Sequence, residues 1–463
     1  MRIQIQFRII GDDNSVISED EILHFDKDDD RLEAIGLSFA NSKAILVGIQ
    51  ERMVSAQAAS FLERHRCCDL CGSLLLSKGR CRIQFRTAFG TIALVSPRFH
   101  RCPCQPSVTK SFSPLTRLFT EHTAPELLYL ETRWASLVSY GMTAGLLKDI
   151  LPISGTVDAS TIRRHLHKVA TRHEADLGSE QPGAIEGSST DRQPLPQAAV
   201  IVGIDGGYVR NWHDKKHNFE VIVGKSMAAG RDDRYFGLVR SQDEQPGRRF
   251  CEVLRTQDLP VTQAVTMLTD GGDSVRGLVG ELSPGAAHLL DWFHIAMRLT
   301  GLGQYAKGLA HHNPLEAVAL QDRLERIKWR LWHGDGGEAL ARAQGLADDV
   351  ATLNTAYPGL KRLVKATTGL ATYIENNIGA IPDYSERWHN SERISTAFAE
   401  STVNLVISRR FAKKQQMQWS KQGAHLLLQT RTRTLNGTLR DLFTSWYPAM
   451  AANNNEIAVP TAA

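Results

Sequence analysis

Two aspartates that follow apolar runs are the residues of this chain best suited to chemistry. Asp205 follows the apolar residues 198–204, Asp270 follows residues 264–269, and each is followed by two glycines. Each run predicts a buried strand that ends in a carboxylate. A buried carboxylate costs several kcal/mol unless it is paired, hydrogen-bonded or bound to a cation. The two acids therefore indicate a site for hard divalent cations, Mg²⁺ or Mn²⁺, that act on a nucleic-acid backbone.

A third carboxylate is expected from Glu400, at the start of a predicted helix. Two strand-borne acids and one helix-borne acid can hold two cations, which clamp the attacking and leaving oxygens of a phosphodiester. Asp291 also ends an apolar strand and is the alternative to Asp270, while Glu392 is the alternative to Glu400. In a further interpretation, Asp291 supports His294, which acts on a phosphate or a water.

Six of the seven cysteines lie within 38 residues. An odd number of cysteines, in a chain that starts without a secretory signal, favours metal binding over disulfides. We predict a zinc-ribbon-like site with four thiolates: Cys68, Cys71, Cys102 and Cys104. Cys67 or Cys81 is the alternative ligand, because the second pair has a shorter spacing than usual. The zinc would be structural, since a metal can replace a core too small to fold alone.

Two basic helices are the candidate DNA contacts. Residues 143–151 and 158–168, with a break at 152–155, predict a helix-turn-helix whose second helix is capped by Asp158 or Ser160. Three of its side chains are expected to reach phosphates or base edges: Arg163, Arg164 and Lys168. Four more are expected to contact DNA near the C-terminus: Arg409, Arg410, Lys413 and Lys414. The alternatives are an ordinary helical subdomain and a basic helix that covers the core.

The distribution of charge favours a polyanionic partner. The formal net charge is +4, but residues 1–65 carry twelve acids and seven bases, residues 66–110 carry eight bases and one acid, and residues 400–441 carry eight bases and two acids. Two basic blocks in a nearly neutral chain are typical of nucleic-acid binding, although solvated faces are the alternative. No apolar run reaches the roughly 18 residues of a membrane span, so we expect a cytoplasmic protein.

These patterns predict a multidomain protein with α+β and α/β parts. The predicted segments are a strand–helix segment (1–65), a zinc-ribbon-like segment (66–110), a helix-turn-helix region (111–177), a linker rich in Pro, Gly and Ser (178–197), an α/β domain (198–448) that is helical at about 293–380, and a disordered tail (449–463). Within the α/β domain, strands are predicted at 198–210, 217–226, 233–241, 264–269 and 286–291.

Several blocks of the sequence resemble ISKra-type bacterial insertion-sequence transposases. The similarity lies in ESTVNLVISRRFAKKQQMQWSKQGAHLLLQTRTRTLNG at 400–437, GIDGGYVR at 203–210, LTDGG at 268–272 and LDWFHIAMR at 290–298, together with the cysteine segment. The resemblance implies a ribonuclease-H-like catalytic domain with a helical insertion. It places an Asp-Asp-Glu triad at Asp205, Asp270 and Glu400.

One position departs from the family pattern. Many such triads have Lys or Arg seven residues after the Glu, where this chain has Ile407. If a cation is needed there, Arg409, Arg410 or Lys414 must supply it.

Together with these patterns, the resemblance implies a bacterial, nucleoid-associated DNA transposase. It would bind terminal inverted repeats through residues 66–173, cleave and join DNA strands with Mg²⁺, and act on target DNA as a homo-oligomer. The alternatives are a non-enzymatic DNA-binding regulator with a degenerate α/β domain and a nuclease of the same fold.

Overall fold

The computed structural model describes residues 1–27, 31–104, 110–153, 157–178, 194–196, 199–395, 397–411 and 417–452. The chain is a mixed α+β protein that divides into two compact units. Unit 1 consists of Met1–Val169 and Thr438–Ala463, and unit 2 consists of Ala170–Gly437. The boundary lies inside a helix rather than in the predicted linker at 178–197, most of which is outside the described residues.

The strands are β1 (Arg2–Ile10), β2 (Val16–Asp26), β3 (Ser77–Thr87), β4 (Gly90–His100), β5 (Ser111–Phe112), β6 (Val200–Arg210), β7 (Asn218–Ala228), β8 (Arg234–Leu238), β9 (Thr266–Thr269) and β10 (Ala287–Leu290). The helices are α1 (Phe39–Arg64), α2 (Leu115–Leu118), α3 (Pro125–Leu137), α4 (Tyr140–Ile150), α5 (Ala159–Asp176), α6 (Pro246–Thr256), α7 (Asp273–Leu282), α8 (Trp292–Leu309), α9 (Pro314–Trp332), α10 (Gly336–Thr352), α11 (Leu360–Asn377), α12 (Tyr384–His389), α13 (Ala397–Val403), α14 (Arg409–Phe411), α15 (Lys421–Leu435), α16 (Leu439–Trp446) and α17 (Ala449–Ala452). A π-helical turn, Asn404–Ser408, joins α13 to α14.

Unit 1 contains two antiparallel sheets and a group of helices. Strands β1 and β2 form one sheet, and β3, β4 and β5 form the other. Helix α1 contacts β2 and β4 and buries Val54 and Ala58. Among the described residues, the segment Leu32–Arg64 is long and apolar enough to cross a membrane by length and composition alone, a test that the core helix of a soluble protein or a signal sequence also passes.

The C-terminal part of unit 1 corrects one prediction. Helix α16 packs against α3, and Arg440 forms an ion pair with Glu126 at 2.8 Å. Helix α17 follows, with Met450 only 4% exposed. The predicted disordered tail therefore does not begin at residue 449, because Met450 packs into this small core. Residues 453–463 lie outside the described residues.

Unit 2 is built on a five-stranded mixed sheet with the order β10-β9-β6-β7-β8. Strands β6, β7 and β8 are antiparallel neighbours, while β9 runs parallel to β6 and β10 parallel to β9. Helices α6 and α7 pack their apolar side chains on one face, and α13 and α15 lie on the other. Along the chain, helices α8 to α12 follow β10 and precede α13, in agreement with the helical prediction for 293–380. These helices have a hydrophobic core of their own.

A buried ionic network fastens α6 within unit 2. The guanidinium of Arg249 donates to Asp243 at 2.7 Å, to Glu174 at 2.9 Å and to the side chain of Gln429 on α15. Burial acts to raise the pKa of Glu174, but the hydrogen bond from His425 and the charge of Arg249 hold it below its ordinary value. The network therefore connects α5, α6 and α15 by charge-assisted hydrogen bonds.

Removal of this guanidinium should strongly destabilise unit 2. We expect Arg249→Leu to lower the free energy of unfolding by about 3–5 kcal/mol, because Asp243 and Glu174 lose their buried counter-charge. Denaturant titration measures the loss. Arg326→Leu is the control, since Arg326 forms an exposed ion pair with Asp322 and should cost less than about 1 kcal/mol. Equal losses in the two variants would contradict the importance of the network.

Candidate functional site

The side chain of Asp205 lies on the face of the sheet that α13 covers. Residues alternate between the two faces of a strand, so Gly203, Asp205 and Gly207 share one face of β6. A Cβ atom on Gly203 would lie 2.2 Å from the ring of Phe398, and one on Gly207 would lie 2.7 Å from Ile407. The two glycines therefore let α13 and the π-helical turn lie directly on the strand that carries the acid.

The three predicted acids lie within range of one another's charge. Asp270 follows the last residue of β9, whose pairing with β6 ends at Ile204 and Thr269, so it lies beside Asp205. Glu400 is exposed in the first turn of α13. The charges of Asp270 and Glu400 both raise the pKa of Asp205. Asp205 itself lies in the middle of β6, not at its end as predicted, because β7 continues to pair with β6 beyond the last residue of β9.

The pKa of Asp205 lies well above the ordinary value of an aspartate. Burial, followed by the charges of Asp270 and Glu400, raises its pKa to about 6. The backbone N–H of Gly206, which donates to Asp205 Oδ1 at 2.7 Å, and the charge of His294 act in the opposite direction. Burial with like charges is typical of functional sites, and a bound cation would favour the ionised form.

Backbone interactions hold Asp270 in place. Its Oδ1 accepts the N–H of Gly272 at 2.8 Å, and its carbonyl oxygen accepts the hydroxyl of Tyr373 at 2.9 Å. Gly271 has a φ of +77°, and a Cβ there would lie 2.5 Å from Leu290. Only glycine meets both conditions, which explains the glycine that follows Asp270.

Asp291 caps the N-terminus of helix α8, so its carboxylate is already engaged. This favours Asp270 as the second acid of the site. The side chain of Asp291 is fully buried, accepts the N–H of Phe293 at 2.8 Å and lies 2.8 Å from His294 Nδ1. The pair of Asp291 and His294 is therefore present. The hydrogen bond to Asp291 and the charges of Asp291, Asp270 and Asp205 together raise the pKa of His294, so the imidazole faces the acids.

The remaining alternative, Glu392, is engaged elsewhere. Its carboxylate lies 2.8 Å from the guanidinium of Arg387. Among the described residues, the four predicted cysteines are the one group of three or more possible ligands whose ligand atoms all lie within 4.8 Å of one another. The three acids are therefore more widely spaced than a closed ligand set.

The cysteine cluster lies in unit 1, beside the sheet of β3, β4 and β5. The Sγ atoms of Cys68 and Cys104 are 3.5 Å apart, and those of Cys71 and Cys102 are 3.4 Å apart. Hydrogen bonds with the side chain and backbone of Ser73 lower the pKa of Cys71 to about 6. Four thiols at this spacing can hold a metal such as zinc as thiolates.

The alternative thiols lie outside that cluster. Cys81 Sγ lies 3.5 Å from the hydroxyl of Ser113, and Cys67 is exposed outside the group of four. The apolar cluster next to the thiols is small, with Cys68, Leu75 and Phe99 as its buried members. A bound metal would therefore stabilise this part of the fold more than the small apolar cluster can alone.

Helix α5 displays part of its predicted basic surface. Asp158 accepts a hydrogen bond from a backbone N–H of the first turn at 2.7 Å, so it, and not Ser160, is the cap. Arg163 and Arg164 are exposed. Lys168 is exposed as well, but its ammonium group is paired with the carboxylate of Glu121.

The C-terminal basic cluster differs from the prediction. Arg409 is exposed, whereas Arg410 is 2% exposed and lies over the ring of Trp419 at 5.1 Å. We therefore correct the expectation that Arg410 contacts DNA, because its guanidinium is packed in the interior. Lys413 and Lys414 lie outside the described residues.

Two supporting residues were not found from the sequence. Arg431 is buried and donates to the carbonyl oxygens of Leu405 at 2.5 Å and Val406 at 2.7 Å, which the π-helical turn leaves available. Tyr373 is the second, because it holds Asp270 from a distant helix. Both contacts join residues far apart in the chain, and no local pattern marks them.

No family model matches the sequence, and no curated protein matches it.

Asp205→Asn should stabilise the protein at neutral pH. The folded pKa of Asp205 is raised from 3.8 to about 6, so its protonation stabilises the fold below about pH 4, and this contribution is lost as the pH rises through 6. We expect the variant to gain up to about 3 kcal/mol at pH 7 and nothing at pH 4. Thermal unfolding across this range measures the difference. Asp273→Asn, an exposed acid paired with Arg276, should show no such profile.

Metal analysis tests the cysteine cluster. We expect one zinc ion per chain of purified protein, and a lower melting temperature of unit 1 after chelation. Cys71→Ser should lose the metal, whereas Cys81→Ser should retain it, because Cys81 lies outside the group of four. Metal-free protein with unchanged stability would leave the four cysteines as ordinary thiols.

Proposed function

We propose that this protein is a metal-dependent DNA transposase of the insertion-sequence type. The observation that supports the proposal is that Asp270 and Glu400 lie near enough to Asp205 for their charges to raise its pKa. The mixed five-stranded sheet with helices on both faces supports a ribonuclease-H-like class for unit 2. The resemblance of the sequence to ISKra-type transposases points to the same activity.

The three acids fit a site for divalent cations, because their oxygen ligands and net negative charge suit Mg²⁺ or Mn²⁺. Bound cations would supply activation of the nucleophile and stabilisation of the leaving oxygen. Asp205 releases its proton readily at neutral pH, since its pKa is about 6. Glu400 reaches the site from α13, which the glycines of β6 admit to the strand surface.

His294 is placed to act on the substrate beside these acids. Asp291 lies 2.8 Å from its Nδ1 and accepts a hydrogen bond from the protonated ring there, so Nε2 is the nitrogen left for substrate. The raised pKa keeps the imidazole protonated to higher pH, and a protonated ring favours a phosphate oxygen as its partner. Water would be the nucleophile in cleavage and a DNA 3′-hydroxyl the nucleophile in strand transfer, without a covalent bond between protein and DNA.

The remaining parts supply recognition. Arg163 and Arg164 on α5 are exposed for terminal inverted repeats, and the cysteine cluster, with zinc bound, would hold the sheet of β3, β4 and β5 in shape. Cleavage at two element ends requires at least two active sites, so we propose a homo-oligomer that acts in the bacterial cytoplasm, on nucleoid DNA.

A non-enzymatic DNA-binding regulator is the second candidate. The cysteine cluster and the exposed arginines of α5 favour it, because neither depends on the acids. A nuclease of the same fold is the third, since the same three carboxylates serve cleavage alone.

A cleavage assay on DNA with the element ends separates these functions. We expect nicking that requires Mg²⁺ or Mn²⁺, and a loss of about 100-fold or more in Asp205→Asn and Glu400→Gln, because each removes a charged ligand. Glu392→Gln is the control in the same segment, since its carboxylate is paired with Arg387. DNA binding by the wild type without any nicking would support the regulator, and cleavage without joined strands on a plasmid target would support the nuclease. Nicking that survives Asp205→Asn would contradict the role of the three acids.

A further inference from the structure

A groove between α8 and α11 is lined by three cations, two glycines and four apolar or aromatic residues. It encloses about 400 Å³, and its walls include Arg298 and Gly301 from α8 and Arg362, Lys365 and Gly369 from α11. The glycines leave the floor of the groove open where side chains would otherwise fill it. The lining residues include three cations and no acid, so the charge of the groove favours an anionic ligand.

The groove leads away from the acidic site. The guanidinium of Arg298 lies 3.9 Å from the centre of the Tyr373 ring, and the hydroxyl of Tyr373 donates to the carbonyl oxygen of Asp270. His294 is one turn before Arg298 and therefore on the same face of α8. Because Tyr373 is near the end of α11 and His294 is near the start of α8, the two helices run antiparallel from the acids.

The cations of the groove lie at increasing distances from the acids along α8 and α11. Lys365 and Arg362 precede Tyr373 by eight and eleven residues, which corresponds to about 12 and 16 Å along the helix. Arg298 lies nearest to the acids. A strand of DNA carries one phosphate per roughly 3.4 Å of helix axis, so this stretch matches several consecutive phosphates.

These charges are uncompensated, unlike those of the neighbouring helices. Four other arginines of the helical segment form ion pairs with carboxylates: Arg323, Arg326, Arg330 and Arg342. Within the described ranges, Arg298, Arg362 and Lys365 form no ion pair with a carboxylate. Cations left without acids beside an active site are the usual contacts of phosphate groups.

We propose that the groove between α8 and α11 binds the sugar–phosphate backbone of the DNA next to the scissile phosphate. The inference deepens the proposed function and rests on it. The groove holds the strand in line with Asp270 and His294, so that the scissile phosphate reaches the acids in a fixed register. The contacts are to phosphates, so the groove contributes affinity that is independent of base sequence.

The salt dependence of DNA binding tests the groove. The double variant Arg362→Gln/Lys365→Gln of the full chain is titrated against an element-end duplex and a single strand, without divalent cations. The logarithm of affinity falls with the logarithm of salt concentration, by about 0.9 per phosphate contact in duplex and about 0.7 in single strands. We expect the slope of the double variant to be shallower by about 1.8 for duplex or about 1.4 for a single strand, with weaker binding to every sequence.

Lys307→Gln is the matched control. Lys307 is exposed on α8, nine residues after Arg298 and hence on the opposite side of the helix. Its slope should equal that of the wild type. If the slope of the double variant is unchanged while the wild type cleaves DNA, the groove does not bind the DNA backbone, and the proposed function remains intact. A shallower slope in a protein that cleaves no DNA would support the groove and overturn the transposase, and a wild type that binds no DNA would overturn both.

Discussion

The close contact between α13 and β6 is the constraint on which the acidic site depends. Gly203 and Gly207 flank Asp205 on one face of the strand, and each would clash with α13 or the π-helical turn if it carried a Cβ. A helix that lies on bare backbone brings Glu400 toward the strand without a long side chain to bridge the gap. The same contact buries Asp205, so the packing of α13 on β6 determines both the position of the carboxyl and its raised pKa.

Long-range hydrogen bonds maintain that contact. The π-helical turn leaves carbonyl groups without the regular helical partner, and Arg431 of α15 donates to two of them. Helix α15 is itself joined to α6 by Gln429 and the buried guanidinium of Arg249. Tyr373 plays a comparable part for Asp270 from α11. The site is therefore held by charged and polar groups from separate helices, and apolar packing supplies the sheet beneath it.

The sequence predicts what local patterns encode. Apolar runs and glycines predict the strands of Asp205 and Asp270, and helical periodicity predicts the segment between β10 and α13. Cysteine spacing predicts the thiol cluster, because two closely spaced pairs can supply four ligands to one metal. The burial of Arg410 and the roles of Tyr373 and Arg431 escape such patterns, since each depends on a partner distant in the chain. Charge composition alone cannot tell an arginine that faces DNA from one that holds a turn.

The arrangement of charge in unit 2 is costly for a purely structural domain. Asp205 lies on the face of β6 that α13 covers, and burial together with the charges of Asp270 and Glu400 raises its pKa. Nearby, Arg298 lies on Tyr373 while the cations of α11 lack carboxylate partners among the described residues, although pairing the two sets would relieve both. The fold instead keeps acids and bases apart on neighbouring surfaces. A cation on the acids and a polyanion along the bases would neutralise both sets of charges, and the proposed function would supply such a pair of ligands.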